Sequence, residues 1–476
     1  MNRTMKKRIR RVVILILLAA VALFVYAKRE YIQQLPIGSA FKAKAVCAGV
    51  FISGRDAEAV AREDVGFDPI LKLFKVKVDR ERQSVTCSLL GTGLFSKKAI
   101  YLEDLGPVLL SGVSEDVLRS WKPARIAPEP GDPAAVPWPT GDRMSESPLP
   151  GRVLMTEIDK AVDGLFAEPN PARKLRTRAL LVIHEGRSVA ERYAPGIDKD
   201  TPLLSWSMAK SFTNALVGIL VKQGKLSVKD PARVPEWAGA GDPRRAISLD
   251  DILHMSSGLE WFEDYTVHPV SDVNRMLFLQ PDMGAYAAGK PLAGRPGSRW
   301  SYSSGSSNIV CRALREAAGG REAFWAFPRR ELFNKIGMRS AVWGVDASGT
   351  IIGSSYLYAT ARDYGRFGLL CLNDGVWEGE RILPEGWMAY STTPAPAAPL
   401  GQYGAFFWLN RGAPGDPSKR PYPGLPPDLY LALGYQGQAI VIIPSRRVVI
   451  VRLGMTYDDN WGMPIFVKSV LASIAD

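Results

Sequence analysis

Histidine is scarce in this chain, with three among 476 residues, and no Gly-x-Ser-x-Gly pattern occurs. A hydrolase that activates a serine through histidine on a nucleophile elbow needs a suitably placed histidine and the Gly-x-Ser-x-Gly pattern. The chain therefore disfavours that class. Cysteine is also rare, with four residues, and no group of cysteines and histidines has the spacing of metal ligands. We therefore predict neither a metal ion nor a cofactor.

Positive charge is concentrated at the start of the chain. The formal net charge is +12, and six basic residues precede residue 12 with no acidic residue among them. The remaining 54 basic residues are nearly balanced by 48 acidic ones. Because no second basic patch occurs later in the chain, a nucleic-acid partner is not predicted.

An apolar run, Val12–Ala27, comes after the basic cluster and contains 16 residues without interruption. It is slightly short for a membrane-spanning helix and slightly long for the core of a signal peptide. We predict an uncleaved membrane anchor over residues 1–30, with a cleaved signal as the alternative. The basic residues before the run indicate export of the chain beyond it, so we expect the bulk of the chain on the periplasmic side of the inner membrane, or released after cleavage.

Residues 31–121 predict a small N-terminal α/β region. Short apolar runs at Val46–Ile52 and Ser84–Leu90 favour strands, and Asp56–Glu63 favours a helix. Cys47 and Cys87 both lie here, and an oxidising compartment would allow them to pair, so we predict a disulfide between them.

Residues 122–150 contain eight prolines and predict an extended linker, with Trp138 suited to dock it on a neighbour. Residues 151–476 begin and end with a helical pattern, have strand patterns next to each of these ends, and carry further helical patterns in between. This order predicts an α+β fold: an antiparallel sheet built from both ends of the region and flanked by terminal helices, plus a mainly helical part.

Ser207-x-x-Lys210 precedes an apolar helical pattern that stops at Gly224. Residues three apart share one face of a helix, so the hydroxyl and the amine point the same way. An amine kept neutral by burial can take the serine proton and create a nucleophile. The spacing alone is weak, because Ser39-x-x-Lys42 repeats it with no obvious role, and a solvated helix start would explain either pair.

Two further segments strengthen the catalytic interpretation. Tyr302 is the only one of 16 tyrosines with Ser or Asn two residues later, here Ser304. Gly434-Tyr435-Gln436-Gly437-Gln438 lies between two late strands, where glycines allow close approach to a ligand. With Ser-x-x-Lys, Tyr-x-Ser and Tyr-Gln-Gly in this order, residues 150–476 resemble the serine β-lactamase and penicillin-binding superfamily. The resemblance is greatest to class C β-lactamase-related hydrolases, which include esterases and 6-aminohexanoate-dimer hydrolases.

The resemblance implies a role for each matching residue. Ser207 would attack a carbonyl, Lys210 would be the base, and Tyr302 would share proton transfer to the leaving group. The backbone N–H groups of Ser207 and of Gln438, the residue that follows Gly437, would form the oxyanion hole. Ser304 would face the substrate in place of the more usual Asn.

One departure from the superfamily bears on the substrate. Tyr435 stands where penicillin-recognising enzymes carry a lysine that pairs with the substrate carboxylate, which disfavours β-lactam hydrolysis. Residues 260–265 are similar to a stretch of 6-aminohexanoate-type hydrolases, and Trp261 and Tyr265 in it are expected either to line a pocket or to cover the core.

The leading function is therefore an exported serine hydrolase that cleaves an amide or ester in a small or peptide-like substrate through an acyl-enzyme on Ser207. A cell-wall D-amino-acid peptidase is the alternative enzyme. A non-catalytic binding protein on the same fold is the third possibility.

Overall fold

The computed structural model describes residues 29–127, 131–145, 149, 151, 153–168, 170, 174–265 and 268–474, together with a few positions between 5 and 15. Most of the predicted anchor, Val12–Ala27, lies outside these residues. Within the described part of the chain, no helix combines the length and the apolar character needed to cross a membrane.

A long helix, α1 (Arg29–Phe51), is the centre of the N-terminal region. It contains nearly all of Val46–Ile52, so the strand predicted there is wrong. One side of the helix is buried against a sheet of the N-terminal region. Another side is buried against residues 151–476, which we call the catalytic part. A helix enclosed in this way lacks the amphipathic period of a surface helix, and its short apolar runs read like strands.

A four-stranded antiparallel sheet packs on α1. Its strands, in spatial order, are β1 (Phe74–Asp79), β2 (Ser84–Leu89), β3 (Lys97–Leu102) and β4 (Gly106–Leu109). The strand predicted at Ser84–Leu90 is confirmed as β2, and the helix predicted at Asp56–Glu63 is confirmed as α2 with Asp56 as its N-cap. The elements of this region are α2 (Ala57–Glu63), α3 (Pro69–Lys72), β1 (Phe74–Asp79), β2 (Ser84–Leu89), β3 (Lys97–Leu102), β4 (Gly106–Leu109) and α4 (Glu115–Arg119).

The predicted disulfide is wrong, because Cys47 and Cys87 are both buried free thiols. The residue of α1 that faces Cys87 is Ser39, whose Oγ donates a hydrogen bond of 2.7 Å to the Cys87 carbonyl. Cys47 lies two helical turns further along, about 12 Å at 1.5 Å per residue. Bridged cysteines need Cα atoms within about 7 Å of each other.

The proline-rich segment is docked where the structure describes it. Trp138 Nε1 donates to the Gly186 carbonyl at 3.0 Å, and the Arg366 guanidinium lies 4.9 Å from the indole ring centre. Arg366 Nε also donates to the Pro139 carbonyl at 2.7 Å. Residues 131–145 are therefore held on the surface of the catalytic part.

A six-stranded antiparallel sheet forms the frame of the catalytic part, residues 151–476. Its strands, in spatial order, are β12 (Trp408–Leu409), β13 (Tyr430–Gly434), β14 (Gln438–Ile443), β15 (Val448–Gly454), β5 (Thr177–His184) and β6 (Arg187–Tyr193). Its strands come from both ends of the region, which confirms the predicted α+β fold. Helices α5 and α14 cover one face, and α12 covers the other. These elements are α5 (Met155–Phe166), β5 (Thr177–His184), β6 (Arg187–Tyr193), α12 (Ala361–Leu372), β12 (Trp408–Leu409), β13 (Tyr430–Gly434), β14 (Gln438–Ile443), β15 (Val448–Gly454) and α14 (Met463–Ser473).

The rest of the catalytic part lies between β6 and β12 and is mainly helical. Its helices are α6 (Ala209–Lys222), α7 (Leu249–Leu253), α8 (Asp272–Leu279), α9 (Met283–Ala288), α10 (Ser304–Ala317), α11 (Arg321–Pro328) and α13 (Trp387–Ser391). Its short strands are β7 (Leu203–Leu204), β8 (Val342–Trp343), β9 (Leu357–Ala359), β10 (Val376–Trp377) and β11 (Glu380–Arg381).

One apolar core continues from the N-terminal region into the helical side. Phe41 of α1 packs on Trp206 and on Phe278 of α8, with ring centres 6.2 and 5.4 Å away. The N-terminal region therefore packs beside the turn that carries Ser207.

Candidate active site

Ser207 lies in a single 3₁₀ turn, Trp206–Met208, which leads directly into α6. The end of β13 approaches this turn closely. A Cβ atom on Gly434 would lie 2.2 Å from the Ser205 carbonyl and 3.1 Å from the Ser207 nitrogen. Only a glycine lets the sheet edge reach the turn at this distance, so the edge forms one wall beside Ser207.

Lys210 Nζ lies 2.9 Å from Ser207 Oγ and 3.0 Å from Ser304 Oγ. The residue is 1 % exposed. Burial lowers the pKa of Lys210 from 10.5 to about 8, against the opposing effect of the negative charge on Glu263. Near neutral pH a useful fraction of this amine is therefore unprotonated and in contact with the serine hydroxyl.

Glu263 extends this contact into a network. Ser304 donates to Glu263 through its hydroxyl at 2.5 Å and through its backbone N–H at 2.8 Å. The Tyr265 hydroxyl donates to the same carboxylate at 2.5 Å, and the Trp261 indole donates to its other oxygen. One carboxylate thus fixes Ser304, which in turn contacts the lysine.

Tyr302 lies beside the lysine, with Nζ 4.8 Å from its ring centre. Its ring stacks on Trp408 at 5.4 Å and meets Tyr403 edge-on at 5.8 Å. Burial and the negative charge of Glu263 raise the pKa of Tyr302, while a hydrogen bond with Ser207 lowers it. The phenol is therefore held in its protonated form next to Ser207.

A cavity of about 220 Å³ opens at Ser207. Of the residues predicted from the sequence, its lining includes Ser207, Tyr265, Tyr302, Tyr435, Gly437 and Gln438. The lining is completed by Trp408, Leu433, Gly434, Asp459 and Trp461.

Two predicted site residues lie elsewhere. Ser304 is 1 % exposed and its hydroxyl is engaged by Lys210 and Glu263, so it is held behind the lysine and does not face the cavity. Trp261 packs behind the start of α10, where a Cβ atom on Gly305 would meet its ring at 2.7 Å. Tyr265 does line the cavity and stacks on Tyr435, with ring centres 5.4 Å apart.

The sequence interpretation missed Glu263 and Asp459. Glu263 lies between Trp261 and Tyr265, two predicted site residues, but only the fold shows that both side chains bind its carboxylate. Asp459 comes after β15 and accepts from the Gly437 N–H at 3.2 Å. The residue as a whole is exposed, but partial burial of its carboxylate raises the pKa of Asp459 to about 6. Above that pH the cavity lining carries a negative charge.

Known proteins match the part of the chain that carries this site. The profile of the family described as Beta-lactamase matches residues 159–460, which is more than half of the chain.

The chain belongs to the beta-lactamase family.

Family membership makes it a serine hydrolase of amide or ester bonds. It is 27% identical over 309 residues to the 6-aminohexanoate-dimer hydrolase of Paenarthrobacter ureafaciens, covering 60% of this chain and 74% of the relative.

Two solved structures share the fold. One, from Bacillus anthracis and provisionally named a 6-aminohexanoate-dimer hydrolase, has a TM-score of 0.52 and 24% identity, over 62% of this chain and 78% of the other. The second is a penicillin-binding protein homologue from Caulobacter crescentus, with a TM-score of 0.52 and 15% identity, over 67% and 97% of the two chains. At these identities the similarity establishes architecture alone.

Proposed function

We propose that this hydrolase cleaves an amide or ester through an acyl-enzyme on Ser207. The observation that carries the proposal is the 2.9 Å contact between Ser207 Oγ and the buried amine of Lys210, at the wall of an open cavity. The neutral amine takes the hydroxyl proton as Oγ attacks the substrate carbonyl. The bond to the leaving group then breaks, and water later releases the acyl group from Ser207.

Tyr302 supplies the second proton-transfer group. Tyr302 is half-buried beside Ser207 and its phenol stays protonated, so it can donate to a departing alkoxide or amine and regain a proton from Lys210. The backbone N–H groups of Ser207 and Gln438 are proposed to bind the carbonyl oxygen during attack, as their places on one cavity wall allow.

The charge of the cavity favours a substrate without a carboxylate near the scissile bond. Among the described residues that line it, none carries a positive charge, and Asp459 carries a negative one. A D-amino-acid peptidase binds the terminal carboxylate of its substrate, and a β-lactamase binds the carboxylate of the β-lactam. Either enzyme would need a cation at the position of Tyr435. An amide or ester with a neutral or cationic group fits better.

A substrate panel tests the proposal: p-nitrophenyl esters, short 6-aminohexanoate oligomers, D-amino-acid amides and a chromogenic β-lactam, each with wild type and Ser207→Ala. We expect turnover of an ester or amide, and its loss in Ser207→Ala. Full activity of Ser207→Ala would contradict the mechanism. Turnover restricted to D-amino-acid amides would favour the peptidase, and none in any arm would favour a binding protein.

We also propose that the catalytic part is exported. The basic cluster before Val12–Ala27 supports this orientation. A reporter enzyme fused after residue 476 is expected to be active only outside the cytoplasm. Cytoplasmic activity of the fusion would overturn the proposal, and the mass of the mature protein distinguishes a retained anchor from a cleaved signal.

A further inference from the structure

Large apolar side chains are exposed together at one end of the N-terminal sheet. They are Leu73, Leu90, Leu94 and Phe95, with exposed fractions of 46, 61, 61 and 37 %, and we name them the apolar tip. Backbone hydrogen bonds bring them together, since the Leu90 N–H donates to the Leu73 carbonyl at 2.8 Å and the Leu89 N–H donates to the Leu94 carbonyl at 3.0 Å. Single exposed apolar residues are ordinary, whereas a contiguous group of them marks an interaction surface.

The turn between β2 and β3 holds its part of the apolar tip in a fixed and unusual backbone conformation. The Thr92 hydroxyl closes the turn by donating to the Leu89 carbonyl at 2.8 Å. Leu90 and Phe95 have φ angles of 50° and 52°. Glycine, asparagine and aspartate are the usual residues at such angles, because a bulky side chain crowds the backbone there. Keeping two bulky apolar residues at these positions has a conformational cost, and this points to a role for their exposed side chains.

Positive charge borders the apolar tip. Residues 69–78 and 84–102, which contain the tip, carry five lysines and no acidic residue. A Cβ atom on Gly91 would lie 3.7 Å from the Lys75 Cβ, so this lysine flanks the turn. Three of the five lysines form no ion pair with the described residues: Lys72, Lys75 and Lys97. Apolar side chains beside unpaired lysines are complementary to a membrane surface that contains anionic lipids.

Helix α1 runs from the tip end of the sheet to the opposite end. The Ser39 hydroxyl, in the first half of α1, donates to the carbonyl of Cys87, near the end of β2 that leads into the tip. Phe51, the last residue of α1, stacks on Tyr101 at 5.9 Å. The Tyr101 N–H in turn donates to the carbonyl of Gln83, just before the other end of β2, at 2.8 Å. The start of α1 therefore lies on the same side of the region as the apolar tip.

We propose that the apolar tip and the lysines beside it bind the surface of a membrane that contains anionic lipids. The predicted anchor, Val12–Ala27, ends two residues before α1 begins at Arg29, so a membrane that holds the anchor would face the tip. Leu90 and Leu94 enter the boundary between headgroups and acyl chains, and the lysines contact the headgroups. This inference does not depend on the chemistry at Ser207.

A fluorescent label at the apolar tip tests the contact. The full chain with Leu94→Cys is labelled with an environment-sensitive nitrobenzoxadiazole group and reconstituted in vesicles of phosphatidylethanolamine and phosphatidylglycerol. The native cysteines are buried, so the same treatment of the wild type gives the blank. Ile465→Cys is the matched control, because Ile465 is a 76 % exposed apolar residue on α14 of the catalytic part.

We expect the emission of the tip label to shift to the blue and to be quenched by lipids that carry a nitroxide about 5 to 10 Å below the headgroups. The control label should show neither change. A tip label that behaves like the control would overturn the proposal. A blue shift that is already complete without vesicles would place a second copy of the chain on the tip, and would overturn it as well.

Two substitutions separate the apolar and the charged parts of the contact, each measured as the ratio of shifted to unshifted tip label. Leu90→Ser removes an apolar side chain and should lower this ratio by about tenfold. Lys75→Gln should lower it by roughly fivefold, whereas Lys225→Gln, at an exposed lysine of the catalytic part, should leave it unchanged. These residues are exposed or partnered only through their backbone, so the variants should fold. An unchanged ratio in Leu90→Ser, or equal ratios for Lys75→Gln and Lys225→Gln, would refute the assignment of this surface to an anionic membrane.

Discussion

The N-terminal region and the catalytic part each contain a Ser-x-x-Lys pair with a buried lysine on a helical turn, and the two pairs have different partners. In the N-terminal region, Ser39 donates to the Cys87 carbonyl, and Lys42 Nζ donates to the Leu71 and Phe74 carbonyls at 2.8 Å each. In the catalytic part, the lysine contacts the serine itself, at 2.9 Å.

Burial of the lysine does not distinguish the pairs, since it lowers the pKa of Lys42 as well as that of Lys210. What differs is the surroundings of the serine. Ser207 opens on a cavity, while Ser39 is enclosed and ties α1 to its sheet. The same spacing thus holds a helix against its sheet in one region and, in the mechanism proposed above, supplies a nucleophile and its base in the other.

The largest expected contrast comes from replacing each lysine by methionine. Lys210→Met removes the base, and kcat/KM should fall by about 10³- to 10⁴-fold. Lys42→Met should leave kcat/KM of the folded protein within about threefold but lower the free energy of unfolding by about 1 to 3 kcal/mol, because two carbonyls lose a donor. Steady-state kinetics and urea unfolding measure both. Equal losses of activity in the two variants would remove the distinction.

Tyr302→Phe tests whether the phenol transfers a proton. The ring would keep its packing on Trp408 and Tyr403, so the variant should fold and lose about 10²- to 10³-fold in kcat. A loss below about tenfold would reduce Tyr302 to a positioning role and leave Lys210 as the only proton-transfer group.

A smaller effect is expected from Glu263→Gln, and it appears in the pH profile. Lys210 acts when neutral, so activity should rise with pH through its pKa of about 8. The negative charge of Glu263 favours the protonated amine, so its removal lowers that pKa and moves the rising limb to lower pH. The exposed carboxylate of Glu260 provides the matched control, and Glu260→Gln should leave the limb in place. An unmoved limb in Glu263→Gln would exclude electrostatic coupling to the lysine.

The sequence predicted those parts of the site that depend on local spacing. Ser207 and Lys210 share a turn, and the strands of the six-stranded sheet show clear apolar runs. Glu263 could not be assigned in this way, because its role arises from Ser304, some forty residues later, meeting it in the fold. The same holds for Ser304, whose expected contact with substrate is replaced by contact with Lys210.

The N-terminal region was the harder part to predict. Burial of α1 on several sides removed the helical period from its apolar residues, so one end of it resembled a strand. The Cys47–Cys87 pairing was wrong because sequence spacing does not fix which residue of α1 faces β2. The contact between α1 and α8 depends on how the two regions pack, which no local pattern encodes.

Covalent labelling of the nucleophilic serine tests the central claim most directly. The purified protein is treated with a fluorophosphonate, which forms a stable covalent adduct with an activated serine, and the adduct is located by intact mass and peptide mass spectrometry. We predict one adduct per chain, on Ser207, present in wild type and Ser39→Ala and absent from Ser207→Ala. An adduct that persists in Ser207→Ala, or that maps to Ser39, would contradict the account.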